Sequence, residues 1–351
     1  MVSPRRPTLA DVAQEVGVSA KTVSRVLNEN GPTSESTRAR VLEAVSRLGF
    51  QLNPMAQSIR SGGPDTTVGL VIPDLANPFF GSVASGIEAT VRDHGLTLVM
   101  GSSGDDPERE TDLTRSFLAR RVSALMVVPS VGADHGHLKR HRAQGLPVVF
   151  IDRPGHGLPT DTVVSSNRRG AREGTAHLIA HGHRRIGFIG DLPRSLYTRR
   201  ERQAGYRAAL AEAGIPYDRA LVGEAHDEHG AAKALSRLLA LQNPPTAVVS
   251  GNNVMTLGIM AELGRPGRGP VAVVAIDDVP MAELLTPALT VVAQDPVTIG
   301  REAGAIALRR LAGDHSRPRT VVVQNRLIQR GSGERGHTAA QELPAQGVSN
   351  Q

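Results

Sequence analysis

Hydrophobic positions recur at helical spacing in the first part of the chain. Leu9, Val12, Ala13 and Val16 follow an i, i+3, i+4, i+7 pattern, which places them on one stripe of a helix. Thr8 precedes this stripe and is a favoured N-cap residue. The pattern predicts a first short helix that starts after Thr8.

A second short helix follows almost at once. Gly17 is expected to stop the first helix, and Ser19 can cap a second one that runs to about Leu27. At roughly 100° per residue, Val23 and Val26 fall on the same side as Leu27. The opposite side carries Ala20, Lys21, Ser24, Arg25 and Asn28.

A third helix is predicted between a cap at Ser34 and a stop at Gly49. Its expected inward positions are Val41, Leu42, Val45 and Leu48. Three short helices with a glycine turn between the first two match a helix-turn-helix unit, whose second helix enters the major groove. A small helical bundle with a solvated polar face is the alternative interpretation of the same pattern.

The polar face of the second helix has the donors that base recognition needs. Lys21 and Arg25 can donate to guanine O6 and N7, and Ala20 can contact a thymine methyl group. The hydroxyls of Ser19, Thr22 and Ser24 suit phosphate contacts. These residue types predict double-stranded DNA as a partner.

From Thr66 onward the pattern changes to short apolar runs that alternate with helical stretches such as Gly81–Asp93 and Glu108–Arg120. The runs include "TVGLVIP", "LTLVMG", "ALMVVP", "VVFID", "RRIGFIG", "AVVSG" and "VAVVAID". Such alternation predicts parallel sheets with helices on both faces, here as two similar α/β lobes. The late segments "LTVVAQD" and "RTVVVQNRLIQRGS" are expected to pass back between the lobes. A cleft lined by the loops after the strands would then bind a ligand.

Composition limits the function classes. The 351 residues carry a formal net charge of +6 and no cysteine, so disulfides and thiolate metal sites are excluded. No apolar run reaches the length of a membrane span, and the first residues lack a signal-peptide core. We therefore expect a cytoplasmic protein with no membrane association. Neither a catalytic constellation nor a metal or cofactor motif is found, and the two "HGH" stretches are interpreted as turns.

The segment between the two regions, "QLNPMAQSIRSGGPD", has the signals of a very short helix. Asn53 can cap it, Pro54 suits its first turn, and Met55 and Ile59 are one turn apart. Such a helix is too short to persist alone in water. A flexible linker is the alternative interpretation.

The string "TLADVAQEVGVSAKTVSRVLN" and its continuation "TSESTRARVLEAVSRLGF" resemble the N-terminal signature of the lactose/galactose repressor (LacI/GalR) family. The resemblance covers nearly all of residues 8–332. It implies a helix-turn-helix domain over 1–52, a hinge over 53–65 whose Ile59 would be the minor-groove wedge, a two-lobed periplasmic-binding-protein-like effector and dimerisation domain over 66–332, and a disordered tail over 333–351. It also implies a homodimer on a near-palindromic operator, with Thr8 among the DNA-binding residues.

The same resemblance implies an effector site in the cleft. The implied residues are Asp74, Phe79, Phe80, Asp152, Thr198, Arg202, Asn252, Asp277 and Gln294. Arg202 would be the principal clamp, and the two phenylalanines would form an aromatic wall. For Asp152 and Gln294, a purely structural role in the loops is an equal alternative.

Arg donors beside Asp and Asn acceptors suit adjacent hydroxyl groups, so a hydroxyl-rich effector such as a sugar is expected. Carboxylated sugars, nucleosides and phosphorylated metabolites stay open as alternatives. A transport-type sugar-binding protein would share the lobes but not the helix-turn-helix, and both release from DNA and recruitment to it are compatible with the sequence.

Three positions depart from the family pattern. Ala225 stands where an aromatic is common, Asn252–Asn253 replaces an Asn-Asp pair, and "AIDD" replaces "GFDD" around Asp277. These changes predict either a missing stacking wall or a larger pocket, one charge fewer near the site, and an altered loop around Asp277.

Overall fold

The computed structural model describes residues 7–27, 31–50 and 66–335. The chain divides into two compact units, one before and one after the boundary between residues 65 and 66. We call the first unit the head and describe the two units separately.

The head consists of the three predicted helices α1 (Leu9–Val16), α2 (Ala20–Leu27) and α3 (Glu35–Leu48). The Thr8 hydroxyl accepts from the Asp11 backbone N–H, and the Asp11 carboxylate accepts from the Thr8 backbone N–H, which forms a capping box. Gly17 ends α1 in the left-handed conformation at φ 70°, which favours glycine. The predicted helix starts and stops of the head are therefore confirmed.

The core of the head is a small apolar cluster. Val12, Val23 and Val41 are fully buried in it, with one residue from each helix. Leu42 was expected inward, but its side chain is 46% exposed. The inward stripe of α3 continues from Val41 to Ala44 instead, and Leu42 lies one step of about 100° away from it.

The second unit has two α/β lobes. The strands of lobe 1 are β1 (Thr67–Ile72), β2 (Thr97–Ser102), β3 (Ala124–Val127), β4 (Val148–Ile151), β5 (Asp161–Ser165) and β11 (Thr320–Val323). Its helices are α4 (Pro78–Arg92), α5 (Pro107–Ala119), α6 (Lys139–Ala143) and α11 (Pro296–Leu311). The strands of lobe 2 are β6 (Ile186–Asp191), β7 (Val222–Ala225), β8 (Ala247–Ser250), β9 (Ala272–Ile276), β10 (Thr290–Ala293) and β12 (Arg326–Ile328). Its helices are α7 (Asn167–Ala180), α8 (Tyr197–Glu212), α9 (Glu228–Leu239) and α10 (Asn253–Leu263).

The two sheets have corresponding strand orders and differ in the direction of their last strand. Their strand orders are β11-β5-β4-β3-β1-β2 and β12-β10-β9-β8-β6-β7. Every pair is parallel except β10 with β12, which is antiparallel. The central strands are buried on both faces, as parallel sheets covered by helices require. The predicted fold class is confirmed, and within the described ranges no helix is long and apolar enough to cross a membrane.

The lobes are joined by three chain crossings. The chain passes from β5 to α7, from β10 to α11, and from β11 to β12. The last segment thus passes between the lobes as predicted, because β11 belongs to the sheet of lobe 1 and β12 to the sheet of lobe 2. Short connections of this kind between two lobes are typical of proteins whose lobes rotate relative to each other.

Helix α4 begins three residues before the predicted Gly81. The Asn77 side chain accepts from the Phe79 backbone N–H at 3.0 Å, and Pro78 occupies the first turn. Asparagine caps and proline at the first helical position are both favoured. The cap brings Phe79 and Phe80 into the first turn of the helix, at the edge of the cleft.

The C-terminal part of lobe 2 extends beyond the predicted boundary at residue 332. Glu334 accepts from Thr290 Oγ1 at 2.8 Å and lies 2.6 Å from His177 Nε2. His183 Nε2 donates to the Arg335 carbonyl at 2.7 Å. Burial alone would raise the pKa of Glu334, but the hydrogen bonds from Thr290, His177 and the Gly331 N–H hold this pKa below its usual range. Residues 333–335 are therefore bound to lobe 2, although the pattern assigns them to the tail.

Candidate functional site

The face of α2 predicted to contact DNA lies opposite the face that packs in the core of the head. Along α2, Val23 and Val26 are buried, whereas Lys21 is exposed and Arg25 is half-buried. Among the other residues predicted to contact DNA, Ser19 and Ala20 are exposed, and Thr8, Thr22 and Ser24 are half-buried. Asn28 and Ile59 lie outside the described residues. The helix thus has one face for the core and one that carries the predicted base-reading side chains.

Several hydroxyls on this face also hold the helices in place. Ser19 Oγ accepts from the Thr22 backbone N–H at 3.1 Å and lies 2.9 Å from Thr22 Oγ1. Thr8 Oγ1 donates to Asp11 Oδ2 at 2.6 Å. These contacts cap α1 and α2, so Thr8 and Ser19 have a structural role that is independent of phosphate binding.

The second candidate site is the cleft between the lobes, at the carboxyl ends of both sheets. Its cavity has a volume of about 420 Å³, which is within the range of small-molecule sites. The nine residues predicted for the effector site all line it: Asp74, Phe79, Phe80, Asp152, Thr198, Arg202, Asn252, Asp277 and Gln294. The strands and helix starts of both lobes therefore bring these residues together.

Two aspartates occupy equivalent positions in the two lobes. Asp152 directly follows β4 and Asp277 directly follows β9, the corresponding strand of the other sheet. Both have left-handed backbones, at φ 66° and φ 74°. This conformation is uncommon for residues other than glycine and is concentrated at functional sites. It turns both buried carboxylates into the cleft from opposite sides.

Arg202 is held rigidly in the wall of lobe 2. Its side chain is buried, Nε donates to Asn167 Oδ1 at 2.7 Å, and Nη1 donates to the Gly251 carbonyl at 2.7 Å. Asp277 Oδ2 is 3.9 Å from Nη1. Thr198, one turn earlier on α8, is also buried in the cleft wall. A guanidinium fixed by two hydrogen bonds can present its remaining donors to a ligand without losing side-chain freedom.

The aromatic wall belongs to lobe 1. Phe79 and Phe80 meet edge to face with ring centroids 5.2 Å apart, Phe80 being buried and Phe79 half-buried. Asp74 is exposed beside them and accepts from the Ala76 N–H at 2.8 Å. The partly open ring of Phe79 is available to an apolar ligand face.

Asn252 and Asn253 differ in function. Asn252 caps α10 through the Met255 N–H at 2.8 Å and donates to Asp191 Oδ2 at 3.1 Å. Asn253 is buried and donates across the cleft to Asn77 Oδ1 at 2.8 Å. The second asparagine therefore makes a direct hydrogen bond between the lobes.

Gln294 lies on the crossing that leaves β10 and donates to Asp277 Oδ1. Its Oε1 is buried and has no hydrogen-bond partner within the described residues. A buried acceptor without a partner costs free energy. This atom is therefore positioned to accept from a ligand donor.

The sequence patterns missed several cleft residues. Asp105 lies in the loop after β2, Arg109 lies in the first turn of α5, and Arg153 follows Asp152 directly. Arg153 Nη1 lies 3.0 Å from Asp105 Oδ1, as an ion pair without hydrogen-bond geometry. The position of each strand end was the available signal, because all these residues follow a strand of lobe 1.

Ala225 does not line the cleft. Ala225 is the last residue of β7 and is buried in the core of lobe 2, while the next residue, His226, lines the cleft. Side chains alternate along a strand, so the imidazole ring of His226, and not the side chain at position 225, faces the cleft at this strand end. His226 Nδ1 lies 3.6 Å from Asp191 Oδ1.

The charges of the cleft favour a ligand with hydrogen-bond donors over an anionic ligand. Six aspartates line it, against three arginines. Burial raises the pKa of Asp152 above its usual value; Arg153 and Arg202 oppose this rise, and Asp277 adds to it. Burial also raises the pKa of Asp191. Burial thus disfavours the charged form of both carboxylates, and an additional hydrogen-bond donor would stabilise that form.

Comparison with known proteins gives a match for each of the two units. Residues 8–53 match the family model described as bacterial regulatory proteins, lacI family, and residues 175–333 match a periplasmic binding protein-like domain. The HTH-type transcriptional regulator DegA of Bacillus subtilis is 30% identical over 333 residues, which cover 93% of this chain and 98% of the relative.

Two solved structures are similar along most of the chain. A complex of the transcriptional regulator CelR with cellobiose is 30% identical, with a TM-score of 0.69 and coverage of 93% of this chain and 100% of that one. The lac repressor dimer bound to operator and the anti-inducer ONPF is 25% identical, with a TM-score of 0.79 and coverage of 94% and 99%. The helix-turn-helix head and the two-lobed unit thus occur together in relatives that are transcriptional regulators and not enzymes. The chain belongs to the lacI family of bacterial regulatory proteins.

Proposed function

We propose that this regulator is a homodimeric repressor that binds a near-palindromic operator and responds to an uncharged, hydroxyl-rich ligand such as a sugar. Lys21 and Arg25 of each subunit would read the operator half-sites. The cleft between the lobes would bind the ligand. The observation that carries the choice of ligand class is the surplus of carboxylates in the cleft.

Six aspartates against three arginines make the cleft unfavourable for an anion. A phosphate or carboxylate group would meet Asp152 and Asp277 on opposite walls, and like charges this close repel strongly in a buried site. Neutral hydroxyls can donate to these carboxylates and accept from Arg202. A polyol therefore satisfies both kinds of group in the cleft without adding charge.

The unpartnered atoms of the cleft support the same class. Arg153 Nε and Nη1 are buried donors and Gln294 Oε1 is a buried acceptor, all without hydrogen-bond partners within the described residues. A hydroxyl is both donor and acceptor, so one chemical group can satisfy either. The ring of Phe79 would cover the apolar face of a sugar, and the similar CelR structure contains cellobiose.

The first experiment is a thermal-shift panel of matched ligands. We expect neutral mono- and disaccharides to include a stabilising ligand, and their phosphorylated or carboxylated forms to stabilise the protein less. A binder at a hundredfold excess over its Kd adds about 2.7 kcal/mol to the free energy of unfolding. Greater stabilisation by a sugar phosphate than by its parent sugar would contradict the assignment, and stabilisation by nucleosides alone would replace it with the nucleoside alternative.

The cleft is connected to the head by the covalent chain that enters lobe 1 at Thr66. Ligand bound between the lobes would favour one relative position of them, because the Asn253–Asn77 hydrogen bond and the facing Asp152 and Arg202 span the cleft. Any difference in ligand affinity between two lobe positions shifts their populations. The sign of regulation follows from operator binding measured with and without the stabilising ligand.

Apolar side chains on lobe 2 support the proposal of a homodimer. Met281 and Leu284 are 71% and 76% exposed, and Leu257 on α10 is 46% exposed. Both segments cover the same core cluster, through Val279 and Ile259. Exposed apolar side chains that share one surface are typical of protein–protein contacts, and a second copy of the chain would cover them.

Replacing Leu284 by arginine tests this surface. We expect the variant to sediment as a monomer at micromolar concentration and to lose about tenfold or more in operator affinity, because a buried unpaired charge at an interface costs several kcal/mol. Val322→Arg, on the exposed strand β11 of lobe 1, is the matched control and should remain dimeric. A dimeric Leu284→Arg variant would exclude this face as the interface.

A further inference from the structure

The end of lobe 1 opposite the ligand cleft carries a row of arginines. Each helix that follows a parallel strand returns the chain to the edge where the strands begin, which we call the strand-start edge. Arg120 and Arg121 follow α5, Arg142 lies in the last turn of α6, and Arg317 and Arg319 precede β11. All are exposed except Arg142, which is half-buried.

These arginines are not balanced by carboxylates. The buried Asp161 at this edge is already bound by Arg310, with Nε to Oδ2 at 2.9 Å and Nη2 to Oδ1 at 3.1 Å. The other nearby acid, Asp314, accepts from the Ser316 N–H at 2.9 Å. Within the described residues none of the five arginines forms an ion pair with a carboxylate.

Helix dipoles do not account for the row. A cation in the last turn of a helix is stabilised by the dipole, but the effect decays within that turn. Arg317 and Arg319 lie beyond the end of α11 at Leu311, in the loop that leads to β11. The corresponding edge of lobe 2 also has arginines, yet Arg185 and Arg268 there pair with Asp218 and Glu262. Arg184 and Arg219 at that edge form no ion pair within the described residues, so what distinguishes lobe 1 is that the chain from the head enters at its strand-start edge.

The geometry of the sheet makes this row linear. The arginines precede β11, β4 and β3, which lie within three strand spacings of about 4.8 Å, so the row is about 14 Å long. Phosphates of one DNA strand repeat about every 3.4 Å along the axis. The row therefore matches a stretch of roughly four nucleotides.

The chain from the head arrives in this same row. The Thr66 carbonyl accepts from the Thr97 N–H at 2.8 Å, and the Thr67 carbonyl accepts from the Ser123 N–H at 2.7 Å. Strand β1 thus begins between the starts of β2 and β3. Its partner Ser123 is two residues along the chain from Arg121. The arginines thus share one edge of the sheet with the segment that leads to the helix-turn-helix, and this tether raises their effective concentration near DNA bound by the head.

We propose that the strand-start edge of lobe 1 binds the phosphates of the DNA next to the operator. The inference rests on the proposed function, since the head must first bind DNA. Exposed guanidinium groups pair with phosphate oxygens and carry no base information. The edge would thus strengthen binding to any flanking sequence and make it more dependent on salt.

The test uses the full-length protein and an operator duplex selected in vitro by that protein. Two duplexes are compared, one ending at the operator and one extended on both sides by about 10 base pairs, a full helical turn. The test variant is Arg121→Gln/Arg317→Gln/Arg319→Gln. The control is Arg184→Gln/Arg219→Gln/Arg237→Gln, which removes the same charge from exposed positions of lobe 2.

We expect the wild type to bind the long duplex about tenfold more tightly than the short one, with a steeper salt dependence. The slope of log K against log salt changes by about 0.9 for each phosphate contact. The test variant should lose this difference and keep the affinity of the wild type for the short duplex, while the control should behave as the wild type. Equal affinity of the wild type for both duplexes would overturn the proposal and leave an acidic protein as the partner to seek. Failure to select any operator would instead refute the proposed function.

Discussion

Replacing Arg202 by alanine should abolish the response to ligand while the free protein still binds its operator. The side chain is buried, and both of its assigned hydrogen bonds, to Asn167 and to the Gly251 carbonyl, fix it in the cleft wall. Truncating a buried, hydrogen-bonded charge at a binding site costs about 2–5 kcal/mol. Ligand affinity should therefore fall by roughly 30- to 3,000-fold, as measured by calorimetry with the ligand found in the thermal-shift panel.

Arg199 provides a matched control three residues earlier on the same helix. It is also buried, but it pairs with Glu224 at 2.9 Å and does not line the cleft. Arg199→Ala should lower the melting temperature as Arg202→Ala does, yet leave ligand affinity unchanged. Equal losses of affinity in the two variants would show that the effect is structural and that Arg202 is not the clamp.

The helical caps show why much of the fold could be predicted from the sequence. A cap depends on residues that are three or four positions apart in the sequence. The helix boundaries at Thr8, Ser34 and Gly49 could therefore be predicted from short stretches of sequence. The strands of the lobes were predictable for a similar reason, since buried parallel strands are short apolar runs. Leu42 was misplaced because the period alone cannot separate neighbouring positions on a short helix.

The cleft was predicted in part because its residues follow strands. "VVFID" and "VAVVAID" end in Asp152 and Asp277, and their likeness is a signal that the two lobes repeat the same structure. Asp105 and His226 were missed, because their roles depend on partners far along the chain. Asp105 faces Arg153, and His226 faces Asp191, pairs that exist only once the strands are assembled.

The burial of Asn253 could not have been foreseen either. Its replacement of an aspartate was expected to remove a charge from the pocket, but its amide donates to Asn77 of the other lobe. A carboxylate at this position could not donate that hydrogen bond to an amide oxygen. The substitution therefore changes the contact between the lobes as well as the charge.

Arg25→Ala should cause the largest loss of operator binding among single substitutions in the head. Arg25 lies on the face of α2 opposite the buried Val23 and Val26, and a bidentate guanine contact contributes about 1–3 kcal/mol of discrimination. A dimer makes the contact twice, so we expect a loss of about 2–6 kcal/mol, roughly 30- to 20,000-fold. Competition with unrelated duplex DNA measures it, because the variant should lose specific affinity and keep most of its non-specific affinity.

Arg47→Ala is the matched control for this loss. Arg47 is 63% exposed on α3 and pairs with Glu15 at the surface of the head. Exposed ion pairs contribute about 0–1 kcal/mol, so this variant should keep both stability and specificity. If Arg25→Ala retained the specificity ratio of the wild type with an unchanged circular dichroism spectrum, α2 would not be the reading helix. A uniform loss on operator and unrelated DNA alike would instead place Arg25 on a phosphate, because phosphate contacts carry no sequence information.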